Sequence, residues 1–156
     1  TRPLLQGARL TVWELKKDSI PVTLITDNMV GYLMSKNIIS KIVVGADRIL
    51  LSGHVANKIG TYTISVLAVH HQVPFYVAAP TSTIDTKSRI NEVVIEERNP
   101  DEVRSIMGRL SITLPDIDVY NPAFDITPPE NVTAIITEKG IARKPFEKSL
   151  RKILEG

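Results

Sequence analysis

The sequence predicts an α/β domain: a doubly wound, mainly parallel sheet with helices on both faces. Three observations carry this. Short continuous apolar runs (VTLIT, KIVVG, PFYVAA, VVIEE) recur along the chain. Helix-period segments separate them, and runs of this kind are strands buried on both faces. The 156 residues, 43% hydrophobic and 23% charged, suit one domain with a sizeable core. Right-handed crossovers between such strands wind the helices onto both sides of the sheet.

Taken in order, residues 6–17 read as a helix, with Leu10, Val12, Trp13 and Leu15 among its apolar positions. Val22–Thr26 reads as a strand opened by Pro21, residues 28–36 as a helix, and Lys41–Gly45 as a second strand. Asn57–Gln72 is the longest helical pattern, carrying Ile59, Ile64, Leu67 and Val69. Pro74 opens a third strand, and Val93–Glu97 reads as a fourth. In NPDEV, Asn99 caps a helix with Pro100 at its first position. In TPPE, Thr127 and Glu130 form a capping box, and that helix should end near Gly140. The opening TRPLLQG reads as the end of a strand running into a helix, which implies an excised part of a longer protein.

Composition excludes several functions. With no Cys there is no disulfide and no thiolate metal site or nucleophile, and His54, His70 and His71 lack metal-binding spacing. No apolar run spans a bilayer. No secretory or transit segment is evident, so a cytoplasmic location is expected. The net charge is +2, and Glu138–Glu155 holds six Lys/Arg against three Glu. Phe146 alone interrupts this basic stretch, so it reads as a solvated terminal helix rather than a nucleic-acid surface.

Ligands in open parallel sheets bind at the carboxyl ends of the strands. Asp47, in VVGADRI, sits there with Gly45 and Ala46 leaving room beside it. A partly desolvated carboxylate suits general acid/base work. Its structural alternatives are pairing with Arg48 or capping the next turn. Asn57 and Lys58 read as the start of the long helix, where free amides, a Lys and Gly60 would cradle an anion. The alternative is a plain N-cap beside an exposed Lys. Arg2 or Gln6 can reach a phosphate or hydroxyl, while Arg9 reads as a surface residue. Asp27 reads as an N-cap, Asp85 as an Asx turn, and Asp125 as an organiser of the turn before the 127–140 helix.

The motifs TRPLLQGARLT, TLITDNM, VGADRI, VANKIGTY, PFYVAAPTSTID and NPAFD–TPPE–TAIITEKG occur in that order from Thr1 to about Ile141. Together they resemble the C-terminal domain of the methylthioribose-1-phosphate isomerase family. That family's relatives include ribose-1,5-bisphosphate isomerases and noncatalytic regulatory subunits of a translation-factor exchange complex. The resemblance implies a Rossmann-like catalytic domain over residues 1–142, with 143–156 a basic helical tail matching no family motif. It implies an aldose–ketose isomerisation of 5-methylthioribose 1-phosphate in methionine salvage. Asp47 matches the family's acid–base carboxylate, and Gln6, Asn57 and Lys58 match its substrate-binding positions. No metal or cofactor is implied, and the partners are a sugar phosphate and a second copy of the full-length protein. The family's N-terminal domain, with its catalytic Cys and phosphate-binding Arg residues, lies outside these motifs, so the chain alone is expected to be inactive. The alternatives are a ribose-1,5-bisphosphate isomerase and a noncatalytic binding subunit of the same fold.

Overall fold

The computed structural model describes residues 3–155. In chain order its elements are α1 (Val12–Lys17), α2 (Val30–Ser35), β1 (Ile42–Val44), β2 (Arg48–Leu50), β3 (Val55–Lys58), α3 (Thr61–His70), β4 (Phe75–Ala78), β5 (Ile84–Asp85), α4 (Asp101–Arg104), β6 (Ser105–Ile106), β7 (Leu110–Ser111), β8 (Phe124–Thr127), β9 (Ala134–Thr137), β10 (Gly140–Ala142) and α5 (Phe146–Glu155). They fall into two compact units. One holds the chain up to Val30 with Glu96–Ala123, the other Gly31–Ile95 with the chain from Phe124 onward. Among the described residues no helix is long and apolar enough to cross a membrane.

In the first unit, the helix expected over 6–17 is present as a π-helical stretch, Gly7–Thr11, continuing into α1. The expected strand Val22–Thr26 is not a strand. A strand exists only through a ladder, and no described segment pairs with it. The expected strand 93–97 contributes only an isolated bridge from Glu97 to Pro122, with Val94 91% exposed and so covered by nothing. Asn99 Oδ1 accepts the Asp101 N–H at 2.9 Å, as the capping signal anticipates, though α4 is a single turn. Arg98 holds Glu102 at 2.8 Å one turn along, and β6 and β7 form a short antiparallel pair.

The second unit carries the main sheet, in the order β1–β4–β9–β10. β1, β4 and β9 are parallel, with Ile42 opposite Phe75 and Tyr76 opposite Ala134. β10 returns antiparallel to β9. A second sheet runs β5–β2–β3–β8, parallel between β5 and β2 and antiparallel elsewhere. The expected α/β class is the class observed. Phe75, Val77, Ile135, Ile49, Val55, Met34 and Leu150 are essentially inaccessible and form the core.

Two expected helices differ from what is observed. The pattern at 57–72 starts its helix only at Thr61. Asn57 and Lys58 lie on β3, which is paired on both sides, and Gly60 breaks the chain between strand and helix at φ 101°. The helix expected from Thr127 to Gly140 is a single 3-10 turn, Pro129–Asn131, followed by the β9–β10 hairpin. Pro128 and Pro129 start a turn as their restricted φ allows. The run Ala134-Ile-Ile-Thr then enters the sheet, where β-branched residues pack well. Thr127 Oγ1 caps nothing; it is buried without a partner.

The tail is helical as expected, but it is not merely solvated. Phe146 and Leu150 of α5 are 3% and 0% exposed, while Lys148, Arg151 and Lys152 point outward. Phe146 packs over Gly53, in the turn joining β2 to β3.

Asp85 forms the expected Asx-type turn. Its Oδ1 accepts the Lys87 and Ser88 N–H groups at 2.9 and 3.0 Å, and Arg48 lies 3.4 Å from Oδ2. The bonds from Ser88, then that from Lys87, lower its pKa from the ordinary 3.8 to about 2. A carboxyl depressed on folding adds stability above its unfolded pKa and loses it as pH falls through the folded value. The stability gap between the chain and Asp85→Ala is therefore expected to be constant above about pH 4 and to shrink from there towards about pH 2. Urea denaturation across that range measures it, and a gap independent of pH contradicts the assignment.

Candidate functional site

β1 ends at Val44, and Gly45, Ala46 and Asp47 lead directly into β2. A side chain built on Gly45 would meet nothing within 4 Å, so the space beside this loop is open. The Asp47 N–H donates to Ala56 O at 2.9 Å, although Ala56 is already the register partner of Arg48. Two consecutive residues thus face one partner, the arrangement of a β-bulge, a device that re-aims side chains beside functional sites.

Asp47 remains solvent-accessible, yet burial by its surroundings removes enough water from the carboxyl to raise its pKa above the ordinary value. The Lys58 ammonium opposes the rise. Arg48 pairs with Asp85, and no ion pair joins it to Asp47 among the described residues. That leaves Lys58 as the cation acting on Asp47.

Asn57 and Lys58 arrive beside Asp47 as the last residues of β3, not as the first turn of a helix. Asn57 Nδ2 donates to Thr61 Oγ1 at 3.0 Å, and Thr61 Oγ1 donates to the Lys58 carbonyl at 2.7 Å. Lys58 Nζ stands 6.0 Å from the centre of the Phe124 ring, its cross-strand neighbour. The anion cradle expected at the helix start is partly occupied by the protein itself. Gly60 N–H donates to Asp125 Oδ2 at 2.7 Å and Tyr62 N–H to Oδ1 at 3.0 Å, so a protein carboxylate takes two of the amides at the start of α3.

Asp125 is the site-building residue that sequence reasoning misplaced. It was expected to order the turn just ahead of it; instead it sits opposite Asn57 in the β3–β8 register and pins a turn 65 residues away. Burial raises its pKa, and the amide bonds from Tyr62 and Gly60 oppose that. Its one local signal is an acidic residue ending an apolar segment, and that does not name its partner.

Gln6 belongs to the first unit, at the cap of the Gly7–Thr11 stretch, and is half-exposed. Arg9 reaches the Leu4 carbonyl at 3.4 Å. Arg2 lies outside the described residues. Asp27 opens a 3-10 turn whose cap position is held by Thr26. The loop after β4 is tied down by Glu138, whose carboxylate accepts the Thr81 N–H at 2.9 Å and the Thr81 hydroxyl. The Thr81 hydroxyl, then its amide, hold the Glu138 pKa below the ordinary value.

The methylthioribose-1-phosphate isomerase of Desulforamulus reducens is 60% identical over 98% of the chain, which covers 44% of that protein. The structure of 5-methylthioribose 1-phosphate isomerase from Pyrococcus horikoshii superposes with a TM-score of 0.95 at 47% identity, over 99% of this chain and 43% of that one. A structure from A. fulgidus described as translation initiation factor eIF-2B, subunit delta, also gives 0.95, at 54% identity, over 100% and 45%. The chain spans less than half the length of these relatives. Residues 1–144 match the initiation factor 2 subunit family, and the chain belongs to it.

Proposed function

We propose that the chain is the substrate-binding and acid–base half of a 5-methylthioribose-1-phosphate isomerase of methionine salvage. The observation that supports this best is Asp47, a carboxyl with a raised pKa beside Lys58 and Asn57 at a strand end, in a chain 60% identical to an enzyme of that name. In this reading residues 1–142 are the catalytic segment and 143–156 the tail. The parent protein is a cytoplasmic homodimer whose remaining half completes the phosphate clamp.

The reaction needs a proton on the ring oxygen as the ring C–O bond breaks, and one hydrogen moved from C2 to C1. It also needs a proton removed from the C2 hydroxyl as that carbon becomes the ketone. Protons and electrons balance within the substrate, so one carboxyl that gives a proton and takes one back suffices, and Asp47 fills that role. A raised pKa favours the protonated form that starts the cycle. Gln6, Asn57 and Lys58 bind the sugar phosphate.

The experiment joins the chain to the N-terminal portion of the Desulforamulus relative and assays 5-methylthioribose 1-phosphate and ribose 1,5-bisphosphate side by side. Conversion of the first supports the proposal. Conversion of the second alone favours the bisphosphate reading. Conversion of neither favours a noncatalytic subunit, the reading to which the name of the A. fulgidus neighbour points. In the same joined enzyme, Lys58→Ala is expected to weaken substrate binding by roughly tenfold to a hundredfold, the loss of one charge-assisted contact. An unchanged dissociation constant removes Lys58 from the site.

A further inference from the structure

The orientation of the Asn57 carboxamide follows from proton counting. A hydroxyl carries one proton, and Thr61 spends it on the Lys58 carbonyl at 2.7 Å. At its 3.0 Å contact with Asn57, Thr61 Oγ1 therefore accepts, so the Asn57 nitrogen faces Thr61 and Oδ1 points away. Asn57 is half-buried, and Oδ1 has no protein partner among the described residues. It also keeps access to solvent, since Thr127 Oγ1 is the one fully buried side-chain polar atom among them without a partner.

A second set of bonds holds this arrangement. Thr61 is 5% exposed and follows Gly60, whose left-handed backbone carries it back beneath Lys58. Asp125 fixes both sides of Thr61 by accepting from Gly60 and Tyr62, and it is the register partner of Asn57. The Asn57 oxygen thus stands ready before any ligand arrives, and a preset acceptor costs less to engage.

We propose that Asn57 Oδ1 accepts a hydrogen bond from a ring hydroxyl of the sugar, and that Thr61 and Asp125 are positioning residues that keep it turned outward. This rests on the isomerase reading and goes further by assigning the contact its polarity. A phosphate oxygen only accepts and gains nothing from Oδ1, and Asp125 already holds two of the amides at the start of α3, those of Gly60 and Tyr62. This edge of the site therefore reads hydroxyls.

The test uses the joined enzyme, measuring KM for 5-methylthioribose 1-phosphate and inhibition constants for its 2-deoxy and 3-deoxy analogues. The unmodified enzyme should bind one analogue roughly tenfold more weakly than substrate, the value of one hydrogen bond in a preformed site. Thr61→Val should raise KM by about the same factor while leaving that analogue's constant unchanged, and Thr61→Ser should restore KM. Asn57→Ala, as a second variant, should bind substrate and that analogue equally. The proposal is overturned if Thr61→Val weakens substrate and both analogues by one factor, as a general structural loss would. It is equally overturned if Asn57→Ala still discriminates as the unmodified enzyme does. An enzyme that neither converts nor binds the sugar phosphate refutes the isomerase reading instead. The Asn57 carboxamide resonances of the 156-residue chain then decide the positioning claim: moved by Thr61→Val they support it, unmoved they overturn it.

Discussion

Replacing Asp47 by Asn in the joined enzyme is expected to lower the rate of the chemical step by roughly 10²–10⁴, the usual worth of a positioned general acid or base. Asn keeps the shape and the backbone bond to Ala56, which the main-chain amide makes, but it cannot give or take a proton. Substrate affinity and melting temperature should therefore stay close to those of the unmodified enzyme. The structural roles open to Asp47 predict the reverse, a less stable protein with normal turnover. One of them is already filled elsewhere, since Arg48 pairs with Asp85. Single-turnover kinetics and thermal melting on one sample separate the two, and a variant with normal turnover takes Asp47 out of the mechanism.

The largest stability effect is expected at Gly53, in the turn that joins β2 to β3. Gly53 has φ 88°, a region that L side chains enter at a cost of about 1–2 kcal/mol. A Cβ there would also lie 2.9 Å from Cβ and Cγ of Phe146, with Cδ2 nearer still. Phe146 is 3% exposed and anchors α5, so the ring has little freedom to withdraw. Forcing an extra methyl into such packing costs typically about 1–3 kcal/mol. Gly53→Ala should thus destabilise the second unit by about 2–5 kcal/mol. At this chain length each kcal/mol moves the melting temperature by about 2–4 °C. A melting temperature unchanged within about a degree would contradict the packing described for the tail.

The strands at Ile42–Val44 and Phe75–Ala78 were legible because each is a short apolar run paired in the parallel sheet. Only the second carries buried residues, Phe75 and Val77, while Val43 on the edge strand is 64% exposed. The position of Asp47 was legible for a related reason, since it directly follows such a run and the structure places it between β1 and β2. Its proposed role rests on the rule that these sheets bind ligands at their strand ends. The 127–140 region was misread because its local signals are real but short-ranged. The prolines do start a turn, and burial of Val132, Ala134 and Ile135 then decides the matter in favour of strands. Asn57 and Lys58 were assigned the right neighbourhood and the wrong element, because nothing local shows that β3 is flanked by β2 and β8. Asp125 is the clearest case. Its role rests on bonds to Gly60 and Tyr62, 65 and 63 residues away. A register between distant strands is not written in the spacing of any one segment.

The most direct measurement follows 5-methylthioribose 1-phosphate by phosphorus NMR with the 156-residue chain alone and with the chain joined to the N-terminal portion of its relative. The division of labour proposed for the two halves predicts no conversion by the chain alone and steady formation of the ketose phosphate by the joined protein. Substantial conversion by the chain alone, or none by a folded joined protein, would contradict it.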